Sequence, residues 1–240
     1  MALTAYLGQV ASLLDDFSNV EYSQANLTIW INDARVQIAA VSESVRGLAQ
    51  YTFLSGQHGY KFADATVIPT GAGGVLTTRK GQVFVNNQWQ EIYNREWDWF
   101  FSYELCGPRS VAVGVPTVFS EFQPGITGQF CVSPTPDQSY QAKFDAVCYP
   151  VNLVNDSTNE ALPYPWTEAV QYYAAYLALL NAQRNADADQ MFQRYEVFER
   201  RATQMTTPTA LPVNRPGGPG AKIAATKSVL TTQSQPGGGG

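Results

Sequence analysis

A chain of 240 residues with 45% apolar side chains can bury a substantial core, and 12% aromatic against only 15% charged residues is a composition rich in contact surface. The net charge of −5 is uneven, because after position 206 only Arg215, Lys222 and Lys227 are charged, which leaves 12 bases against 20 acids in the body. That acidic body argues against a reader of nucleic acid, which grips phosphate with basic side chains, and three cysteines without a C-x-x-C pair argue against a disulfide framework or a zinc site.

The N-terminus has no basic segment leading into an unbroken apolar run, so no signal peptide and a reducing cytoplasm are expected, with Cys106, Cys131 and Cys148 as buried free thiols. Asn26-Leu-Thr28 and Asn155-Asp-Ser157 fit the glycosylation pattern, which means nothing without secretion. Leu3, Leu7, Val10, Leu14 and Phe17 recur at alternating spacings of four and three and predict a first helix. Asp15, Asp16, Ser18 and Asn19 supply the stop, and Ser23 is the expected N-cap of a second helix. Its stripe reads Leu27, Ile31, Ala34, Ile38, Val41, Val45 and Leu48.

From about Tyr51 to Pro150 the period changes to two and β-branched and aromatic residues dominate. Asn86-Asn87 predicts a hairpin, since asparagine tolerates the left-handed region. Gln129 to Ser133 and Ser139 to Cys148 flank Pro134-Thr-Pro-Asp137 and predict a second hairpin. In its latter strand Tyr140, Ala142, Phe144, Ala146 and Cys148 share a face opposite Gln141, Lys143 and Asp145, so one side meets a core. Between the hairpins, Glu96-Trp-Asp-Trp-Phe-Phe-Ser-Tyr-Glu104 reads as a strand with Trp97, Trp99 and Phe101 on one face. Such an aromatic row suits a core or subunit interface, or a platform for sugar rings.

Helical spacing returns after Pro163-Tyr-Pro165, where proline suits the first helical position. No charge falls between Glu168 and Arg184, and Val170, Tyr172, Tyr176, Leu179 and their neighbours surround the axis, so this helix needs cover on more than one side. It is too short and too rich in Gln and Tyr to span a membrane. Asp187 is the expected cap of a last helix with the stripe Met191, Tyr195, Phe198, Ala202 and Met205. The end of the chain, from Thr207, is rich in Gly, Pro, Thr and Ser and reads by composition as a disordered linker, or as an extended arm where assembly orders it. If an external surface orders it, Val229-Leu-Thr-Thr232 can add as a strand to a neighbour's edge with Ile223 as an anchor.

The pattern predicts an α+β fold: a helical bundle made from both ends of the chain (1–50 and 161–206), an inserted antiparallel β-rich domain (51–160) and an extended C-terminal arm (207–240). The alternative is a β domain with loosely docked helical arms. Motifs for chemistry are weak. His58 is the single histidine and lies in a turn-like stretch, and Gly71-Ala-Gly-Gly74 lacks the Lys and Ser/Thr of a P-loop. Asp15-Asp16 and the Asp187/Asp189 pair suit helix boundaries rather than acid/base work. No catalytic residue, metal ligand or cofactor site is expected, and the chain is read as not an enzyme.

The stretch Gly114-Val-Pro116, Phe130-Cys-Val-Ser-Pro134-Thr-Pro136-Asp137-Gln-Ser-Tyr140, Tyr149-Pro150-Val-Asn-Leu153 and Leu162-Pro163-Tyr-Pro-Trp166-Thr-Glu-Ala169 resembles the head-to-tail adaptors of tailed bacteriophages, and Asp187-Ala-Asp189 through Tyr195 resembles their last helix. The resemblance covers roughly Gly114 to Ala202. It implies a structural virion protein made in the host cytoplasm, with a bundle and a β-rich insertion, assembled with copies of itself as a ring of twelve under the portal protein. The tail or nozzle attaches to such a ring and DNA passes through it without sequence-specific binding; no membrane is involved. Trp97, Trp99, Tyr172, Tyr176, Lys222, Ile223, Val229 and Leu230 are the expected interface residues. The competing expectation is a β-rich virion module that recognises a glycan or receptor through Trp97 and Trp99.

Overall fold

The computed structural model describes residues 1–18, 20–68, 71–107 and 112–206. Residues 1–206 form one compact unit. Its helices are α1 (Leu3–Leu14), α2 (Gln24–Ser42), a single turn α3 (Trp97–Phe100) that runs on into a π-helical turn at Phe101–Leu105, α4 (Thr167–Asn181) and α5 (Asn185–Thr206). The strands are β1 (Arg46–Phe53), β2 (Gly59–Lys61), β3 (Thr66–Ile68), β4 (Ala72–Val85), β5 (Gln88–Asn94), β6 (Val118–Gln123), β7 (Gln129–Ser133) and β8 (Tyr140–Pro150). The class is α+β, with an eight-stranded sheet in the order β2-β7-β6-β5-β4-β8-β1-β3.

Both first helices stop where a residue enters the left-handed region. Asp15 (φ 56°) ends α1 and Glu43 (φ 49°) ends α2. The Asp16 carboxylate then accepts the backbone N–H groups of Val20, Glu21 and Tyr22, which holds the turn into α2, and the Ser23 side chain accepts the Asn26 N–H as its cap. These stops correct two expectations. Phe17 lies beyond α1 and is exposed, while the α2 stripe ends inside the helix: Val41 is exposed, Val45 is buried in the connection and Leu48 belongs to β1. The buried face of α1 also includes Tyr6 and Ala11.

Asn86 (φ 51°) and Asn87 (φ 60°) close the β4–β5 hairpin as expected, with Phe84 opposite Trp89. The expected β7–β8 hairpin does not form. After Ser133 the chain crosses the sheet, so that β7 pairs with β6 and β2 while β8 lies between β1 and β4. The alternation in β8 holds, with Tyr140, Ala142, Phe144, Ala146 and Cys148 buried.

Three register shifts between β4 and β8, after Ala72, Val75 and Thr78, increase the local twist and curl the sheet around its own apolar face. The side-chain hydroxyls of Thr77 and Thr78 and the Thr78 N–H donate to the Glu121 carboxylate, tying the bulged part of β4 to β6. Aromatic rings fill the curl. Phe130 lies 5.0 Å from Tyr51 and from Phe144, 5.7 Å from Tyr60, 6.0 Å from Phe62, 6.3 Å from Phe53 and 6.4 Å from Phe119. Gly81 makes room for this packing, because a Cβ there would come within 2.6 Å of Phe144 and 2.7 Å of Ile92.

The helices cover one side of this assembly. α2 packs on β8, and α4 packs against α1, α2 and α5. Ala169, Val170, Ala174, Ala175, Ala178 and Leu179 are the buried positions of α4, small enough to let three helices approach it. Pro165 precedes α4 in a turn instead of opening it; Thr167 is its first helical residue. α5 begins two residues before Asp187, whose carboxylate pairs with Arg184 at 2.7 Å, so Asp187 is a first-turn acid and not the cap.

One polar knot lies inside the apolar core. Arg35 on α2 is fully buried and pairs at 2.8 Å with Glu160, which stands in the connection between β8 and α4. Arg35 also donates to the Val151 carbonyl and to the Asn32 side chain, and Asn32 in turn bonds both the N–H and the carbonyl of Leu153. The Tyr6 hydroxyl from α1 donates to Glu160, as does the Leu162 N–H. Burial and the adjacent carboxylate push the Tyr6 phenol far above its ordinary range, so it stays a donor. Burial would raise the Glu160 carboxyl, but hydrogen bonding and charge from Arg35 outweigh it and hold that group below its ordinary value. At the surface of the same connection Asp156 accepts the Thr4 N–H and hydroxyl, capping α1 from 152 positions away.

Candidate assembly interface

The segment from Glu96 to Glu104 does not form the expected strand. β5 ends at Asn94, and Arg95 N–H donates to Phe119 O, which continues the short parallel pairing of β5 with β6. The chain then turns into α3, and the helical period redistributes the aromatic residues. Phe100 is fully buried, while Trp97 is half-buried between Phe100, Phe101 and Phe122, with ring centroids 4.6 Å apart for the Trp97–Phe122 pair. Trp99 (37% exposed), Phe101 (48%) and Tyr103 (55%) point outward. A run in which aromatic residues occupy positions 97, 99, 100, 101 and 103 fits a strand face and a helical turn equally well, so alternation alone could not decide between them.

Outside the turn the rings are organised in two groups. Trp99 stacks on Tyr103 at 5.3 Å with 17° between planes, and the Arg95 guanidinium sits 5.3 Å from the Trp99 ring, within cation–π range. Phe101 and Phe122 flank Trp97, and Tyr93 on β5 adds a further exposed ring. Beneath the turn, Ser133 on β7 donates to the Glu104 carboxylate in a buried contact, which fixes the π-helical turn to the sheet. The result is a platform fixed to the sheet by packing and a hydrogen bond, with aromatic rings turned to solvent. Rigid rings at the surface are an economical docking material because they lose little rotamer freedom on contact.

The other expected interface residues are placed differently. Tyr172 and Tyr176 line the seam between α4 and α5, where Tyr172 stacks on Phe198 at 4.7 Å and Tyr176 lies 5.1 Å from Phe192. Both remain partly exposed. Tyr173 and Tyr195 meet at 4.9 Å in the same seam. Lys222, Ile223, Val229 and Leu230, and the arm from position 207, lie outside the described residues.

A second aromatic site was not signalled by motif. Trp89 on β5 carries the Lys143 ammonium 4.0 Å from its ring and borders a depression of about 460 Å³ lined by Gln50, Thr52, Asp64, Thr66 and Gln141. His58 lies in an exposed loop, as expected. Of the cysteines only Cys148 is buried; Cys131 is half-buried and Cys106, at the end of the π-helical turn, is exposed, which corrects the expectation of three buried thiols. Among the described residues no helix is long and apolar enough to cross a membrane.

The buried Arg35–Glu160 pair holds elements together, and Trp99, Phe101 and Tyr103 lie exposed together on one turn, an arrangement suited to contact with another surface. The family model of the SU10 adaptor protein matches residues 1–217. The chain belongs to that family and is a phage head-to-tail adaptor, a structural component of the virion. No curated protein matches the sequence.

Proposed function

We propose that this adaptor forms a ring of twelve copies between portal and tail, giving the tail or nozzle protein its attachment surface and DNA a passage. In this reading the four long helices act as a bundle that builds the ring, the curled sheet projects from it as the attachment domain, and the chain performs no catalysis. The arm from position 207, with Lys222, Ile223, Val229 and Leu230, straps the ring to a neighbour. The observation that carries the proposal is the platform at positions 93–103, where Trp99, Phe101 and Tyr103 are exposed among the described residues. The acidic body supports it, since a lining of like charge lets DNA slide past without gripping it.

Sedimentation velocity on the full chain, alone and mixed with its portal protein, tests this reading. A single large species containing many copies is expected with portal present. A 26.3 kDa monomer that ignores portal at every concentration contradicts it.

The Trp99–Tyr103 stack also supports a second reading, in which a sugar ring packs on the exposed indole. Glycan binding that disappears in Trp99→Ala, in a chain that forms no oligomer, would favour that reading.

A further inference from the structure

α5 is held along a narrow stripe. Its buried positions are Ala188, Tyr195 and Ala202, each seven residues from the next, and its principal support is α4. Successive residues are turned by about 100° around a helix. Arg194 and Glu196, immediately before and after buried Tyr195, therefore stand on opposite flanks. Two turns further along the same flanks the chain repeats the choice: Arg201 lies seven residues after Arg194, and Asp189 lies seven residues before Glu196. All four side chains are exposed. Arg200, four residues after Glu196, stands beside it at the outer edge of the acidic flank, where Asp189 and Glu196 still outnumber it, and Asp187 near the start of the basic side is already paired with Arg184.

The basic flank also carries apolar surface. Phe198 is half-buried, Met205 is 54% exposed and Val197 at its outer border is 61% exposed, and a shallow groove of about 360 Å³ runs between Gln190, Gln193, Arg194, Val197 and Phe198. A helix of 22 residues is roughly 33 Å long, so each flank offers an edge long enough to span a subunit contact.

A closed ring requires a heterologous contact: each copy must present two different surfaces, one complementary to the other, on opposite sides. Resting on the ring reading above, we infer that α5 supplies both surfaces, the Arg194/Arg201 flank of one copy docking against the Asp189/Glu196 flank of the next. The charges set register and direction, while Phe198 and Met205 supply the apolar area that closes over the contact. A two-fold dimer would place like flanks at equivalent positions and gains nothing from this arrangement.

The test uses two charge-reversed versions of the full chain, Arg194→Glu/Arg201→Glu and Asp189→Lys/Glu196→Lys. Each is mixed with portal protein under the conditions that assemble the wild type and weighed by native mass spectrometry. Each alone carries the same sign on both flanks, and its assembled fraction is expected to fall roughly ten-fold or more. Mixed in equal amounts, the two versions can alternate around an even-membered ring, and assembly is expected to return to within about two-fold of wild type with equal copies of each. Unchanged melting temperatures show that the exposed substitutions leave the fold intact. If either reversed version assembles as well alone as the wild type, the flank pairing is overturned while the ring reading stands. If both fail and the mixture fails too, the pairing is likewise overturned, because the loss does not come from these partners. A wild type that never assembles overturns the ring reading itself and this inference with it.

Discussion

Phe130→Ala is expected to destabilise the protein by roughly 3–5 kcal/mol, measured as a fall in the urea midpoint at unchanged slope. The ring of Phe130 is fully buried and approaches six other aromatic rings contributed by β1, β2, the turn that follows β2, β6 and β8. β2 is one edge of the sheet order and β1 stands next to the other, so Phe130 packs together strands that lie far apart in the open, curled sheet. Removing it leaves a cavity that surrounding rings cannot fill without leaving their rotamers. A loss below about 1 kcal/mol would mean that the curl can collapse around the gap and that the aromatic cluster is not what holds it.

Arg35→Met, with Glu160 left in place, is expected to cost about 3–5 kcal/mol, because it strands a buried carboxylate whose neighbours were arranged around a cation. The double variant Arg35→Met/Glu160→Leu is expected to recover most of that loss, since removing both charges removes the penalty of the unpaired one. The pH dependence follows from the direction of the Glu160 shift. Its carboxyl titrates below the ordinary range when folded, so its contribution is complete at pH values above that range and drains away as pH falls through the folded value. Wild type and Glu160→Gln should therefore converge in stability on acidification. A gap between them that stays constant as pH drops would show that the ionised carboxylate is not the source.

These two features differ in how readable they were. The closures at Asn86-Asn87 and Ser23 and the alternation of β8 rest on local chemistry, and each was legible within a window of a few residues. The Arg35–Glu160 pair joins positions 125 apart, and nothing near either residue names the other. The stripe of α2 outruns the helix for a related reason: Val45 and Leu48 continue the helical spacing, but Glu43 takes the left-handed conformation and the chain goes on into β1. The Pro134-to-Asp137 stretch predicts a hairpin, which does not form, because a turn signal between strands does not state which strands become neighbours. Here it carries the chain from one part of the sheet to the other.

The candidate interface was half legible. Trp97 and Trp99 stood out by composition, and the structure leaves Trp99 exposed, but their geometry depended on whether the segment was extended or helical. The arrangement in which Phe100 is buried and Trp99, Phe101 and Tyr103 face outward exists because the turn lies over β6, with Trp97 wedged on Phe122. The opposed charges on α5 were present in the sequence as well, but they acquire meaning only once Ala188, Tyr195 and Ala202 are known to be the buried stripe.

The account depends most on the aromatic platform being covered when the protein is in place. Hydroxyl-radical footprinting read out by mass spectrometry can compare Trp99, Phe101 and Tyr103 in the free chain and in intact virions. Oxidation of all three should be strong in the free chain and at least several-fold weaker in the virion, while exposed Tyr164, in the turn before α4, reports on general accessibility. Equal oxidation of Trp99, Phe101 and Tyr103 in both samples would contradict the account.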